Sequence, residues 1–370
     1  MKQDYTHIKW NITDARRAEY AASSRAAQDA RKAADELAAK RADCALTLAY
    51  DPNLDMPHQA ANGLKGLSLF SGGGGMDLGF ERAGFEHLAS YEALPFAGDT
   101  LRTNRPDWVV HSGEDGEVAR IDWSFYRHKV DVLYAAPPRQ PFSIAGRRAG
   151  ARDARDMFPE LVRAVDEIRP KVFVAENVAG FLSRGFDDYR EALFERLVDD
   201  YDIETFVLSA AEFGVPQDRR SAFIVGVRKG LGRHFDPAKI QRSDVKRGVR
   251  EALGLPPIGA DGLAPTLRST LTGPRQTTSI ANSTASVTKW ASYGIWPHGV
   301  SPSRSVAAAF PTKDDTYRLC VEECQILQGF PLDWAFAGPV YQRLGLIGSS
   351  VCPPLAYAVA RSVHAQVLHE

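Results

Sequence analysis

Apolar and polar positions along the chain fall into three textures. From 14 to about 48 the pattern is polar and alanine-rich, with Arg, Lys, Asp and Glu interleaved and neither Gly nor Pro. That predicts a solvated helix or helical hairpin with little to bury. Residues 51–63 carry two prolines and two asparagines and predict a linker. From 66 onward short apolar runs alternate with helical stretches. Strands are predicted at 66–70, 88–91, 130–134, 172–175, 203–208 and 221–227, with helices ending at 83 and spanning 157–168 and 188–199. This alternation predicts an α/β fold, a doubly wound and mostly parallel sheet that binds ligands at the carboxyl ends of its strands. Between 230 and about 311 the periodicity fades into Ser, Thr, Gly, Pro and Arg, which predicts a smaller, loop-rich domain; helical texture returns at 321–327 and 355–368. The expected units are 1–62, then 63–230 together with 319–370, and 231–318.

Composition narrows the class. Hydrophobic residues are 44% and charged residues 25%, as in a folded globular chain. Lys+Arg is 45 against Asp+Glu 46, a net charge of -1, which excludes a uniformly basic DNA-coating protein and leaves room for a local basic face. One is predicted between Arg219 and Arg250, where only Asp236 and Asp244 interrupt Arg220, Arg228, Lys229, Arg233, Lys239, Arg242, Lys246 and Arg247. Further on, Arg268, Arg275, Gln276, Asn282, Lys289, Trp290 and Arg304 are of types that meet phosphates and base edges. The four cysteines (44, 320, 324, 352) are too few for a disulfide framework, and the 320/324 pair has no second pair with which to hold zinc. No apolar run is long enough to span a membrane and no apolar leader opens the chain, so the expected setting is cytoplasmic, without a membrane partner or metal.

Candidate chemistry begins at Phe70-Ser71-Gly72-Gly73-Gly74-Gly75, between the first strand and a helix. Glycines there let a ligand approach the backbone and leave helix N–H groups free. No Lys-Ser/Thr follows them, which argues against a P-loop. Glu92 ends the next strand, where a carboxylate accepts hydrogen bonds from ribose hydroxyls. Next come Pro137-Pro138-Arg139-Gln140-Pro141-Phe142-Ser143, a basic stretch to Asp153 with Gly146 and Gly150 as hinges, then Glu176-Asn177-Val178 and Gly214-Val215-Pro216-Gln217-Asp218-Arg219-Arg220.

In this order the motifs resemble those of the DNA cytosine-5 methyltransferase family, from about 66 to 227 and again from about 301 to 360. The resemblance implies a catalytic and cofactor domain (63–230 and 319–370), a target-recognition domain (231–318), S-adenosylmethionine as cofactor, and double-stranded DNA from which a cytosine is flipped. It implies a monomer of a bacterial restriction–modification or phage-defence kind, with a cognate restriction or defence protein as partner. Carried across, Phe70, Gly72, Gly75, Glu92, Glu117, Pro138, Ser349 and Val351 fall on cofactor-binding positions. Glu176 falls on the acid that meets N3 and the amino group of the base, and Arg219 on the arginine that holds the base. Gln140, Ser143, Arg147, Arg155, Arg228 and Arg247 are expected at the DNA. Arg318, Glu322 and the run 328–331 would organise the recognition domain. The chain has Glu117 where the family more often has Asp, Ser349 where it usually has Asn, and Ser221 where a second arginine is common.

The largest departure is Arg139, at the position of the family's nucleophilic cysteine. That cysteine adds to C6 of the base and so makes C5 reactive. A thiol titrates near about 8.5 and is readily activated. A guanidinium stays protonated below about pH 12 and has no lone pair to offer. Attack from an exocyclic nitrogen is disfavoured because Ala135-Ala136 supply no acceptor before the proline pair. Sequence leaves three readings: an inactivated methyltransferase, a non-catalytic DNA-binding member, or different chemistry from the same pocket.

Overall fold

The computed structural model describes residues 45–143, 153–268, 277–310, 312 and 316–369, with scattered positions from 13 to 36. Of the N-terminal stretch, the described positions from 14 to 36 are helical, as the alanine-rich texture predicts. The described chain is built on a seven-stranded sheet: β1 (Lys65–Leu69), β2 (Glu86–Glu92), β3 (Val110–Ser112), β4 (Val132–Ala135), β5 (Val172–Val178), β6 (Tyr201–Ser209) and β8 (Arg220–Arg228). The order is β3-β2-β1-β4-β5-β8-β6, and β8 alone runs against its neighbours. The expected mostly parallel, doubly wound sheet is therefore present.

Strand residues are buried on both faces, as parallel sheets require. Val132, Tyr134, Val172 and Val174 point into one core with α1 (Gly75–Arg82). Leu133, Ala135, Phe173 and Ala175 point into the other, against α3 (Phe158–Ile168). Of the remaining helices on the sheet, α2 (Pro95–Asn104) and α4 (Asp187–Phe194) follow β2 and β5.

A second body carries its own core. It holds α5 (Val249–Ala252), the short pair β7 (Gln217–Asp218) and β9 (Ala264–Pro265), α6 (Thr284–Ser292), and the parallel pair β10 (Ile295–Ser301) and β11 (Tyr317–Cys320) with α7 (Arg304–Ala309). Residues of α8 (Val321–Leu327) and α9 (Val340–Ser349) share that core. The boundary expected at 318 thus falls inside one packed unit. The final helix, α10 (Pro353–Val363), returns to the sheet and lies on α1. Residues 45–62 are not the free linker that their prolines suggest: Tyr50 and Met56 are buried in the two bodies' cores. Among the described residues no helix is long and apolar enough to cross a membrane.

Candidate functional site

Because β1, β2, β4 and β5 run in parallel, their carboxyl ends deliver the glycine turn, Glu92, the proline pair and Glu176 to one edge of the sheet. Phe70 leaves β1 with φ 55, and Gly72 and Gly74 follow with φ 56 and 83, a left-handed path that glycine permits. The turn is packed from behind by the far end of the chain. A Cβ on Gly75 would lie 2.0 Å from the Val351 carbonyl oxygen, and one on Gly73 would lie 2.5 Å from Ser350 Oγ. Trp334 Nε1 donates to the Gly73 carbonyl at 3.0 Å. In front of Gly72, by contrast, a Cβ would meet nothing closer than 4.0 Å.

Glu92 is buried at the end of β2 and accepts from the backbone N–H groups of Gly72 (2.7 Å) and Leu94 (2.8 Å). Burial pushes its carboxyl above the ordinary range; the two N–H donors oppose this, and the charges of Asp77 and Glu117 add to it. Glu117 thus lies within electrostatic reach of the same carboxylate. This set suits an S-adenosyl nucleoside: an acceptor for ribose hydroxyls, an open glycine face and a helix N-terminus. Of the two residues expected from the last motif, Val351 backs the turn, whereas Ser349 Oγ donates to Leu346 O in its own helix. Ser350, in the same run, is the serine whose Oγ backs Gly73.

At the neighbouring strand ends Ala135 is paired with Ala175, so the chains that leave β4 and β5 run side by side. Asn177 Nδ2 donates to the Pro137 carbonyl at 3.0 Å and fixes the entry to Pro138. One step on, Arg139 Nη2 lies 2.6 Å from Glu176 Oε2 in a charge-assisted pair. The Glu176 side chain is 1% exposed and that of Arg139 14%. Glu176 Oε1 and Gln140 Oε1 are buried without a hydrogen-bond partner among the described residues. Phe142 anchors the end of this turn in a ring cluster with Phe158, Phe181 and Tyr189. Ser143 closes the described stretch; the basic loop with Gly146, Arg147 and Gly150 lies outside the described residues.

Described cysteines do not supply the missing thiol. Cys352 senses the charges of both Arg139 and Glu176, but it is fully buried and burial pushes its thiol well up. Cys320 and Cys324 are buried free thiols raised in the same way.

Arg219 is buried and donates to the carbonyls of Gly348 (3.0 Å) and Ser350 (3.2 Å), so it braces the last motif from within. Arg220 is exposed, on the other side of the strand, as the alternation along β8 requires. Gln217 donates to Leu327 O and Gln328, and Gln328 to Ser350 O, which joins the second body to that brace.

Several basic residues expected at DNA sit elsewhere. Arg228 ends antiparallel β8 beside the start of β5, at the sheet edge opposite Glu176, and donates to Arg169 O. Arg247 is turned inward onto Asp55 and Gly214 O. Arg304 pairs with buried Glu323 at 3.0 Å, and Trp290 is fully buried in the core. Glu323, one place after the expected Glu322, is the acid that organises β11, since it also accepts from Cys320 N. Arg318 donates to His298 O and Gly299 O. Arg155 remains half-exposed and holds Asp153 through two side-chain hydrogen bonds and its backbone N–H.

Comparison with known proteins agrees with this geometry. Residues 64–365 match the family profile described as C-5 cytosine-specific DNA methylase. The chain is 32% identical over 317 residues to the type II methyltransferase M.NgoMIV of Neisseria gonorrhoeae, covering 80% of this chain and 96% of that one. It is 32% identical over 335 residues to the type II methyltransferase M.Eco47II of Escherichia coli, covering 80% and 78%. In structure it is similar to the Dnmt2 methyltransferase of S. pombe, with TM-score 0.53 at 14% identity over 83% of this chain and 100% of the other. It is also similar to the methyltransferase EhMeth of Entamoeba histolytica, with TM-score 0.54 at 14% identity over 83% and 99%.

Proposed function

The chain belongs to the C-5 cytosine-specific DNA methylase family, and from that premise we propose that it binds S-adenosylmethionine and duplex DNA without methylating cytosine through a cysteine adduct. The observation that carries this reading is the 2.6 Å contact of Arg139 with Glu176. The carboxylate that would receive a flipped cytosine already receives a guanidinium. The residue at the nucleophile position is the cation that occupies it.

Glu92 and the open face at Gly72 would hold the nucleoside part of the cofactor, with Phe70, Pro138 and Val351 around it. Bound S-adenosylmethionine supplies an electrophilic methyl group. Arg139 can neither add to a pyrimidine ring nor accept a proton, and while it pairs with Glu176 it keeps a base from that carboxylate. A base enters only if Arg139 swings outward, where a guanidinium pairs readily with phosphate. DNA contact is assigned to Gln140, Ser143, Arg147 and Arg155, which flank or lie in the basic stretch of sequence after the proline pair. Loss of a nucleophile costs on the order of a millionfold in rate in a protease. The relatives' type II names support a restriction–modification setting; in that setting the proposed role is DNA-binding and regulatory, in a bacterial cytoplasm beside a restriction or defence protein.

Transfer of labelled methyl from S-adenosylmethionine to DNA tests the reading. The parent chain should transfer none while it still binds DNA, and Arg139→Cys should acquire transfer. Methylated cytosine made by the parent would refute it.

A further inference from the structure

Residues 45–62 precede the matched region and pack on both bodies. Thr47 Oγ1 donates to Leu253 O, and the N–H groups of Ala49 and Tyr50 both donate to Ala252 O at 3.1 Å. Gly254, with φ 61, lies so close that a Cβ there would come within 1.9 Å of the Thr47 carbonyl oxygen. Tyr50 is buried in the second body's core. The chain then crosses over. Asp51 caps the turn Pro52–Asp55, Asn53 Oδ1 accepts from Arg82 Nη2 at the end of α1 (2.7 Å), and Met56 enters the sheet core. Gln59 N–H donates to Arg82 O, and Gln59 Nε2 to the Tyr357 hydroxyl on α10.

Arg247 is the knot. Its Nη1 donates to Asp55 Oδ2 at 3.1 Å and to Gly214 O at 2.9 Å, and its guanidinium lies 4.6 Å from the centre of the Tyr50 ring. Gly214 heads the motif that contains Arg219. It has φ 81, and a Cβ on it would meet Asp55 at 2.3 Å and Arg247 at 2.6 Å. Five residues later Arg219 holds the carbonyls of Gly348 and Ser350, in the stretch whose Leu346 O, Ser350 Oγ and Val351 O back the glycine turn.

We infer that residues 47–59 form a strap across the two bodies, and that Arg247, acting through the Gly214 carbonyl, is a positioning residue for Arg219 and hence for the methyl-donor pocket. The basic residue expected at DNA is thus an internal clamp between Asp55 of the strap and the Gly214 turn. The occupant of the pocket rests on the proposed function; the clamp itself does not.

Amide hydrogen exchange in the full chain, together with calorimetry of S-adenosylhomocysteine, tests the inference. In Arg247→Ala and in Asp55→Ala, exchange at 215–220 should accelerate about tenfold while β1 and β4 stay protected. S-adenosylhomocysteine should bind about tenfold more weakly, and Arg247→Lys, a donor of the same charge, should recover part of both effects. Unchanged exchange at 215–220 would overturn the inference, and so would equal acceleration across the central sheet or lack of rescue by lysine. If the parent itself fails to bind S-adenosylhomocysteine, the proposed cofactor falls, and exchange at 215–220 still decides the strap.

Discussion

Arg139 and Glu176 should behave as one energetic unit, and a double-mutant cycle measures it. Arg139→Met keeps an unbranched apolar stem and removes the charge, leaving the Glu176 carboxylate, 1% exposed in the parent, without a cation. Removing one partner of a buried pair costs about 3–5 kcal/mol, and the near-complete burial of Glu176 puts this variant near 4. Glu176→Gln strands Arg139 instead, but at 14% exposure that guanidinium can turn toward water, so about 2 kcal/mol is expected. With both changes no charge is left unpaired; the double variant should lose about 3 kcal/mol rather than about 6, a coupling of about 3. Unfolding entropy near 2.1 cal/mol/K per residue gives a chain of this length about 0.8 kcal/mol/K, so Arg139→Met should melt about 5 °C lower. Urea unfolding followed by far-UV circular dichroism is the assay. Single effects that add to within about 0.5 kcal/mol would mean that the two side chains do not pair, and the argument for a closed base pocket would fail.

Three further outcomes follow from the site. Burial raises the Glu92 carboxyl, so its protonated form favours the folded state: that contribution is present below the ordinary carboxyl range and is lost as pH rises through the raised value. Titrated from pH 4 to 8 by thermal melting, the stability of Glu92→Gln relative to the parent should therefore move in the variant's favour, about pH 4 being the unfolded carboxyl value; calorimetry should show S-adenosylhomocysteine binding at least about tenfold weaker, from loss of charge-assisted hydrogen bonds. Gly75→Ala would force a methyl to 2.0 Å from Val351 O, and should cost about 1–3 kcal/mol in a melt and abolish S-adenosylhomocysteine binding. In a Cys44→Ser background the three buried thiols should resist an aromatic disulfide reagent in native buffer and react in urea; a fast native thiol would reopen the search for a nucleophile.

The sheet was legible because buried parallel strands are short apolar runs, and 132–135 and 172–178 are such runs. The glycine turn and Glu92 could be placed from the strand–turn–helix pattern and Glu176 from the resemblance; the parallel strands bring all three to one edge. The edge strand Val110–Ser112 is too short to show a period, and α2 opens on a proline with few apolar positions. The strap was misread as a linker because Pro and Asn mark turns wherever they stand; only the partners of Tyr50, Asp55 and Met56, far along the chain, reveal a packed segment. The basic cluster misled for a geometric reason. Arg220 and Arg228 are close in sequence, but an antiparallel strand carries them to opposite edges of the sheet. The pairing of Arg139 with Glu176 across 37 residues needed the register of β4 on β5 before it could be seen.

The central claim is that no group of this chain forms the transient bond that cytosine requires. Fluorine at C5 cannot leave as the proton does, so a pool of duplexes with 5-fluorocytosine should hold any nucleophile that adds to the ring. Incubated with S-adenosylmethionine and analysed by denaturing electrophoresis and intact mass, the parent chain should give no covalent complex and Arg139→Cys should give one. A complex formed by the parent, mapped to any residue, would contradict the account.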